Sequence, residues 1–169
     1  VAAPAPSATA SCTLPPRGGL GTYSDVPTQA TCTPCEAGSY QDAPGATACE
    51  PCTPGHYCAE GAAAALPCAE GTYSGATDLA SAAQCTETDP GFYATTGSTV
   101  QTQCSPGTYS DVPKQSTCTP CEVGSYQDEP GATACEPCTP GHYCAEGAAA
   151  ALPCAEGTYS GATDLVSAA

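Results

Sequence analysis

The chain has 169 residues, 15 of them cysteine, and a formal charge of −15, with Arg17 and Lys114 as its two basic residues. That charge excludes a nucleic-acid backbone as partner, because displacing its counterions takes lysine and arginine. With no Ile, Met or Trp, one Phe (Phe92) and 12 Leu and Val together, the chain also lacks the apolar side chains for an ordinary core.

Something else must offset a backbone entropy of roughly 1–2 kcal/mol per ordered residue. Cysteine is the candidate, since a bridge closing a ~15-residue loop contributes about 3 kcal/mol. Disulfides at this density imply an extracellular or secretory-lumenal compartment. The longest apolar run, Ala62–Leu66, is far too short to span a membrane.

Residues 1–11 read as a Pro/Ala-rich extended linker, without Cys, Gly or Tyr. Pro4, Pro6 and Ser7 there, with Pro15 and Pro16 just beyond, are the candidate sites for O-glycans or modified hydroxyproline. No Asn is present, so N-glycosylation is excluded.

From residue 21 onward one signature repeats. All nine tyrosines end a Gly-x-Tyr triplet: Tyr23, Tyr40, Tyr57, Tyr73, Tyr93, Tyr109, Tyr126, Tyr143 and Tyr159. The steps between them are 17, 17, 16, 20, 16, 17, 17 and 16 residues. Self-similarity at a short fixed period marks a linear array of small units. Pro-Gly and Gly-x-Tyr read as turns leading into short strands, with Gly supplying a positive φ. Each Tyr ring is expected against a neighbouring disulfide with its hydroxyl wet. Ala62–Ala65 has the composition for a single helical turn, although so short a helix is marginal alone.

A longer period overlies the short one. Residues 21–83 align with 107–169 at an offset of 86 and differ at five positions. The organisation expected is therefore the linker 1–11, a first superrepeat over 12–103 carrying an N-terminal insertion, and a partial second over 104–169. The second copy stops two residues before the equivalent of Cys85. The odd cysteine count is accordingly read as that of a segment of a longer array.

Local loops are the expected bridges: Cys12–Cys32, Cys35–Cys49, Cys104–Cys118 and Cys121–Cys135. The remainder admits two solutions, because connectivity does not follow from sequence alone. Nearest-neighbour pairing joins Cys52 to Cys58, Cys68 to Cys85 and Cys138 to Cys144, and leaves Cys154 waiting. Interlocked pairing joins Cys52 to Cys68, Cys58 to Cys85 and Cys138 to Cys154, and leaves Cys144 waiting. The interlocked form is favoured because a bridge across five residues is tight. Zinc is a rival reading of the paired Cys-x2-Cys knuckles. The loop Cys104–Cys118 repeats without a leading knuckle, which suits one bridge and cannot close a tetrahedral site.

The remaining signals point away from catalysis. His56 and His142 occupy equivalent turn positions without ligand-spaced partners. Carboxylates such as Glu60, Glu70, Asp78 and Asp89 are scattered singly, with no calcium loop. Nucleophile elbows, phosphate loops and His-Glu-x-x-His are all missing. No enzymatic activity and no cofactor are expected.

The runs CTPCEAGSYQDAPGATACEPC and CSPGTYSDVPKQSTCTPC resemble the ephrin-receptor-like cysteine-rich repeat, a relative of the tumour-necrosis-factor-receptor module. The resemblance covers residues 12–169 and implies an elongated rod of short β-hairpins and turns, laddered by disulfides, with no large core. The segments CTPGHYC and CAEGAAAALPC depart from the animal form. They are more similar to arrays in algal and protist surface proteins, including the mastigoneme glycoproteins of flagellar hairs. The function expected is a structural component of an extracellular filament or a cell-surface or flagellar coat. Its partners would be other copies of itself or another filament or coat glycoprotein, with glycans attached covalently. The alternative is a receptor or adhesion ectodomain that binds a protein ligand.

Overall fold

The structure, a computed structural model, describes residues 19–25 and 31–156. The expected Cys12 partner, the linker 1–11 and the candidate modification sites Pro4, Pro6, Ser7, Pro15 and Pro16 lie outside the described residues, as does the triplet at Tyr159.

Among the described residues the regular structure is eight two-stranded antiparallel hairpins and one 3-10 turn, Ala82–Gln84. Every hairpin is built alike. The first strand is the last two residues of a Gly-x-Tyr triplet. The second is the dipeptide before the cysteine that follows, or before Thr88 in one repeat. Ser39–Tyr40 pairs with Glu50–Pro51, and Thr108–Tyr109 with Thr119–Pro120. The residue after that dipeptide donates its N–H to the triplet glycine, as in Cys35 to the Gly21 carbonyl and Cys52 to the Gly38 carbonyl at 2.9 and 2.8 Å. Since directly opposed residues alternate between bonded and non-bonded pairs, the proline beside that cysteine faces outward with its missing N–H. Proline is thus tolerated where a central strand would exclude it, and it blunts an exposed edge.

The described residues fall into two compact units. One runs up to Cys68 and adds Ser74–Cys85; the other is Ala69–Tyr73 with the chain from Thr86. The same inter-repeat bond recurs within each. In the first, the N–H of Gly21, Gly38 and Gly55 donates to the carbonyl of Gln41, Cys58 and Ser74, the residue after the next repeat's tyrosine, at 2.7–2.8 Å. In the second, Gly71, Gly91, Gly107 and Gly124 reach Ala94, Ser110, Gln127 and Cys144 at 2.7–2.9 Å. The acceptor residue returns a bond into a loop, as in Cys58 N–H to the Leu79 carbonyl at 2.8 Å and Ala94 N–H to Gln115 at 3.0 Å. Backbone groups that a lone two-residue hairpin would leave to water are thus paired with the neighbouring repeat.

The glycine serves a second purpose. Gly21, Gly38, Gly71, Gly91 and Gly107 all have positive φ, and a Cβ on any of them would lie closer than 3.0 Å to the backbone of the repeat two further on. The backbone met is that of Gly61, Asp78, Lys114, Gly131 and Gly147 respectively. These five also have positive φ, so glycine is usual there and Asp78 and Lys114 are the two non-glycine exceptions.

The core is sulfur. Cys35, Cys52, Cys58, Cys68, Cys104, Cys121, Cys138 and Cys144 are buried, together with Thr88, Ala94 and Leu79. The longest step, from Tyr73 to Tyr93, accommodates the 3-10 turn, whose Gln84 Oε1 accepts the N–H groups of Ala80 and Ser81. The helical turn expected over Ala62–Ala65 does not form. Ala62 instead accepts the Gln41 N–H at 3.1 Å and bridges Tyr40 of the preceding repeat, and the chain bends at Ala63 and Ala64.

Candidate functional site

The cystines position everything else, so their pairing comes first. Six bridges are present among the described residues. Cys35–Cys49, Cys104–Cys118 and Cys121–Cys135 each join residues 14 apart, with Cα atoms 5.6–5.7 Å apart. The rest follow the nearest-neighbour solution: Cys52–Cys58, Cys68–Cys85 and Cys138–Cys144. The interlocked pairing favoured from the sequence is therefore corrected. A turn explains why the short bridge closes: Gly55 takes φ 79° and the His56 N–H donates to the Thr53 carbonyl at 3.1 Å. This reverses the chain within the loop and brings Cys52 and Cys58 Cα atoms to 6.0 Å, within the span a disulfide needs. Cys154 is half-buried and unbridged. Cys32 is disulfide-bonded, and its expected partner Cys12 lies outside the described residues.

The cystines and tyrosines together build one recurring surface feature, an open cleft where a tyrosine meets the following repeat. In the first unit Tyr23, Glu36, Ser39, Ala48 and Cys49 line a cleft of about 260 Å³. In the second, Tyr109, Glu122, Ser125, Ala134 and Cys135 line one of about 230 Å³. These are the same five residues displaced by 86 positions. A third, of about 290 Å³, uses the corresponding places one repeat earlier: Tyr93, Ser105, Thr108, Thr117 and Cys118. Each is floored by half a cystine and walled by a tyrosine, and a hydroxyl is fixed at the rim. Ser39 Oγ donates to the Glu36 carbonyl at 2.8 Å and Ser125 Oγ to the Glu122 carbonyl at 2.7 Å.

The described tyrosines are half-buried, and two carry a further partner. Tyr40 Oη donates to Glu50 Oε2 and Tyr126 Oη to Glu136 Oε2, both at 3.3 Å. The Glu50 charge, followed by partial burial, holds the Tyr40 hydroxyl above the ordinary tyrosine range. For Tyr126 the order reverses, with partial burial first and the Glu136 charge second.

His56 and His142 close their own turns. Nδ1 of His56 lies 3.1 Å from the Pro54 carbonyl oxygen, and that of His142 lies 3.2 Å from the Pro140 carbonyl oxygen and 3.1 Å from the Thr139 hydroxyl. Among the described residues no group of three His, Cys, Asp or Glu is gathered to hold a metal ion, and no helix is long and apolar enough to cross a membrane.

Hairpins without a hydrophobic core, stapled by local cystines and joined by backbone bonds to the next hairpin, define a small disulfide-rich repeat module of extracellular type. The family described as tyrosine-protein kinase ephrin type A/B receptor-like matches residues 21–66 and 107–151, more than half of the chain. The chain belongs to that family of cysteine-rich repeats. No curated protein matches it.

Proposed function

We propose that the chain is a non-catalytic structural component of an extracellular filament or a cell-surface or flagellar coat. The observation that carries this reading is the recurrence of one cleft, side chain for side chain, at Tyr23/Glu36/Cys49 and again at Tyr109/Glu122/Cys135. Surfaces repeated without change suit a polymer, in which every superrepeat meets the same partner surface. A ligand-binding array gains instead from units that differ. On this reading 12–103 and 104–169 are successive superrepeats, the partners are further copies or another coat glycoprotein, and glycans on Pro4, Pro6, Ser7, Pro15 or Pro16 decorate the linker and insertion.

The second reading is a receptor or adhesion ectodomain, favoured by the family itself, whose description is that of a receptor. Electron microscopy of the protein from its native source, under non-reducing conditions, separates the two. The structural reading predicts filaments with a regular axial repeat that denaturant disperses into long chains. Isolated particles that bind a different protein, and never polymerise, would replace it with the receptor reading.

A further inference from the structure

The stretch from Glu87 to Gln115, wholly within the second unit, breaks the pattern of its neighbours at several places together. Thr88 occupies the position of Cys52 and Cys138, three residues before a Gly-x-Tyr triplet, and Ala94 the position of Cys58 and Cys144, directly after the tyrosine. In those sister repeats the two positions form a bridge with Cα atoms 6.0 Å apart. Here both residues are as deeply buried, at 1% exposure, and keep the same backbone bonds. Lys114 N–H reaches the Thr88 carbonyl at 3.0 Å where Asp78 N–H reaches Cys52 at 3.2 Å, and Ala94 N–H reaches Gln115 where Cys58 N–H reaches Leu79. The fold is retained and the covalent staple is absent.

Weaker bonds stand in for it. The Thr88 Oγ1 accepts the Gln115 N–H at 3.0 Å. Gln101 clasps Asp89 reciprocally, Nε2 to Oδ2 at 2.8 Å and Oε1 from the backbone N–H at 2.9 Å, on the exposed side. Lys114 pairs with Glu87 at 3.0 Å, both side chains 56% exposed, so water and salt compete for that contact. Lys114 holds φ 63° and Asp78, its counterpart in the stapled sister, φ 64°, so the left-handed backbone is common to both. The second strands here end in Glu87 and Gln103, where six other hairpins end in proline, so the backbone is less restricted in the open state.

We propose that the repeat from Thr88 to Gln103, bonded to Lys114 and Gln115 of the stapled Cys104–Cys118 loop, is a cystine-free compliance joint. It opens and recloses locally by breaking hydrogen bonds and one exposed ion pair, without thiol chemistry, while the cystine-stapled repeats on either side stay shut. The inference holds whether the array is a filament or a receptor stalk. It gives the chain one place that yields reversibly under load.

Residue-resolved amide hydrogen exchange in the intact, oxidised chain tests it, because exchange reports the population of the locally open state. The comparison is Lys114 with Asp78 and Ala94 with Cys58, amides with matched acceptors in the joint and in its stapled sister. Lys114 and Ala94 should exchange on the order of ten-fold faster after correction for intrinsic rates, the difference between a short-loop bridge and the few weak bonds that replace it. Raising salt to screen the Lys114–Glu87 pair should widen the gap. The paired substitution Thr88→Cys with Ala94→Cys should form a bridge and slow Lys114 to the rate of Asp78. The converse pair, Cys52→Thr with Cys58→Ala, should speed Asp78 to the rate of Lys114. Equal exchange of the matched amides in the unmodified chain would overturn the proposal, as would a bridged Thr88→Cys/Ala94→Cys variant whose Lys114 exchanges as before.

Discussion

Gly107 and Gly141 offer a controlled comparison of the two demands placed on the triplet glycine. Both have positive φ, 84° and 78°. A Cβ on Gly107 would be driven into the Gly147 carbonyl two repeats on, whereas one on Gly141 would meet none of the described residues within 4 Å. Gly141→Ala therefore incurs only the left-handed backbone strain, about 1–2 kcal/mol. Gly107→Ala incurs that and an overpacking cost of roughly 1–3 kcal/mol more, because backbone cannot swing aside as a long side chain can. It also threatens the 2.7 Å bond from Gly107 N–H to the Gln127 carbonyl. Guanidinium unfolding of the oxidised protein, with each variant measured against the parent, gives both values from the shift in midpoint at constant slope. The expected order is a clear loss for Gly141→Ala and a loss larger by roughly 1–3 kcal/mol for Gly107→Ala. Equal losses would refute the close approach between alternate repeats and leave φ as the whole reason for the glycine.

Lys114→Gly should stabilise the second unit by about 1 kcal/mol, since glycine relieves a φ of 63° and five other repeats already use it; urea unfolding at high salt, where the Glu87 pair is screened, reads this without the ion-pair loss. Tyr40 and Tyr126 should ionise above the ordinary tyrosine range in an ultraviolet titration, and Glu50→Gln with Glu136→Gln should bring them down toward it. The sign follows from their raised values: the folded state favours the protonated hydroxyl, so this contribution is complete below the unfolded tyrosine value near 10 and is lost as pH climbs through the folded one. Replacing Cys121 and Cys135 together with Ser should cost about 3 kcal/mol for a loop of this size and more for the buried hydroxyl at position 121, measured by the same denaturation.

Much of the fold was legible as arithmetic. Even spacing of Gly-x-Tyr implied an array, the absence of Ile, Met and Trp with few Leu and Val implied a sulfur core, and the positive φ of the triplet glycines was readable from their place in a turn. What escaped was everything that depends on the next repeat. Nothing in Gly107 itself says that the Gly147 carbonyl lies against it, so its second constraint needed the structure. The pairing is hidden for a related reason. Loop length alone makes Cys52–Cys58 look tight, while the Thr53–His56 turn removes that strain at no cost to the hairpin. Thr88 and Ala94 escape a reading that looks for cysteines present. Laying the repeats over one another by their triplets exposes the empty pair.

Local cystines staple each hairpin repeat except the one at Thr88, and the cystine map tests that pairing directly. Cleavage after glutamate under non-reducing conditions frees Gly61–Glu70, which holds Cys68, and Gly71–Glu87, which holds Cys85. These two peptides should run as one disulfide-linked pair with no third peptide attached. Either of them found covalently joined to Ala37–Glu60, which carries Cys49, Cys52 and Cys58, would break one of the bridges Cys35–Cys49 or Cys52–Cys58 and contradict that map.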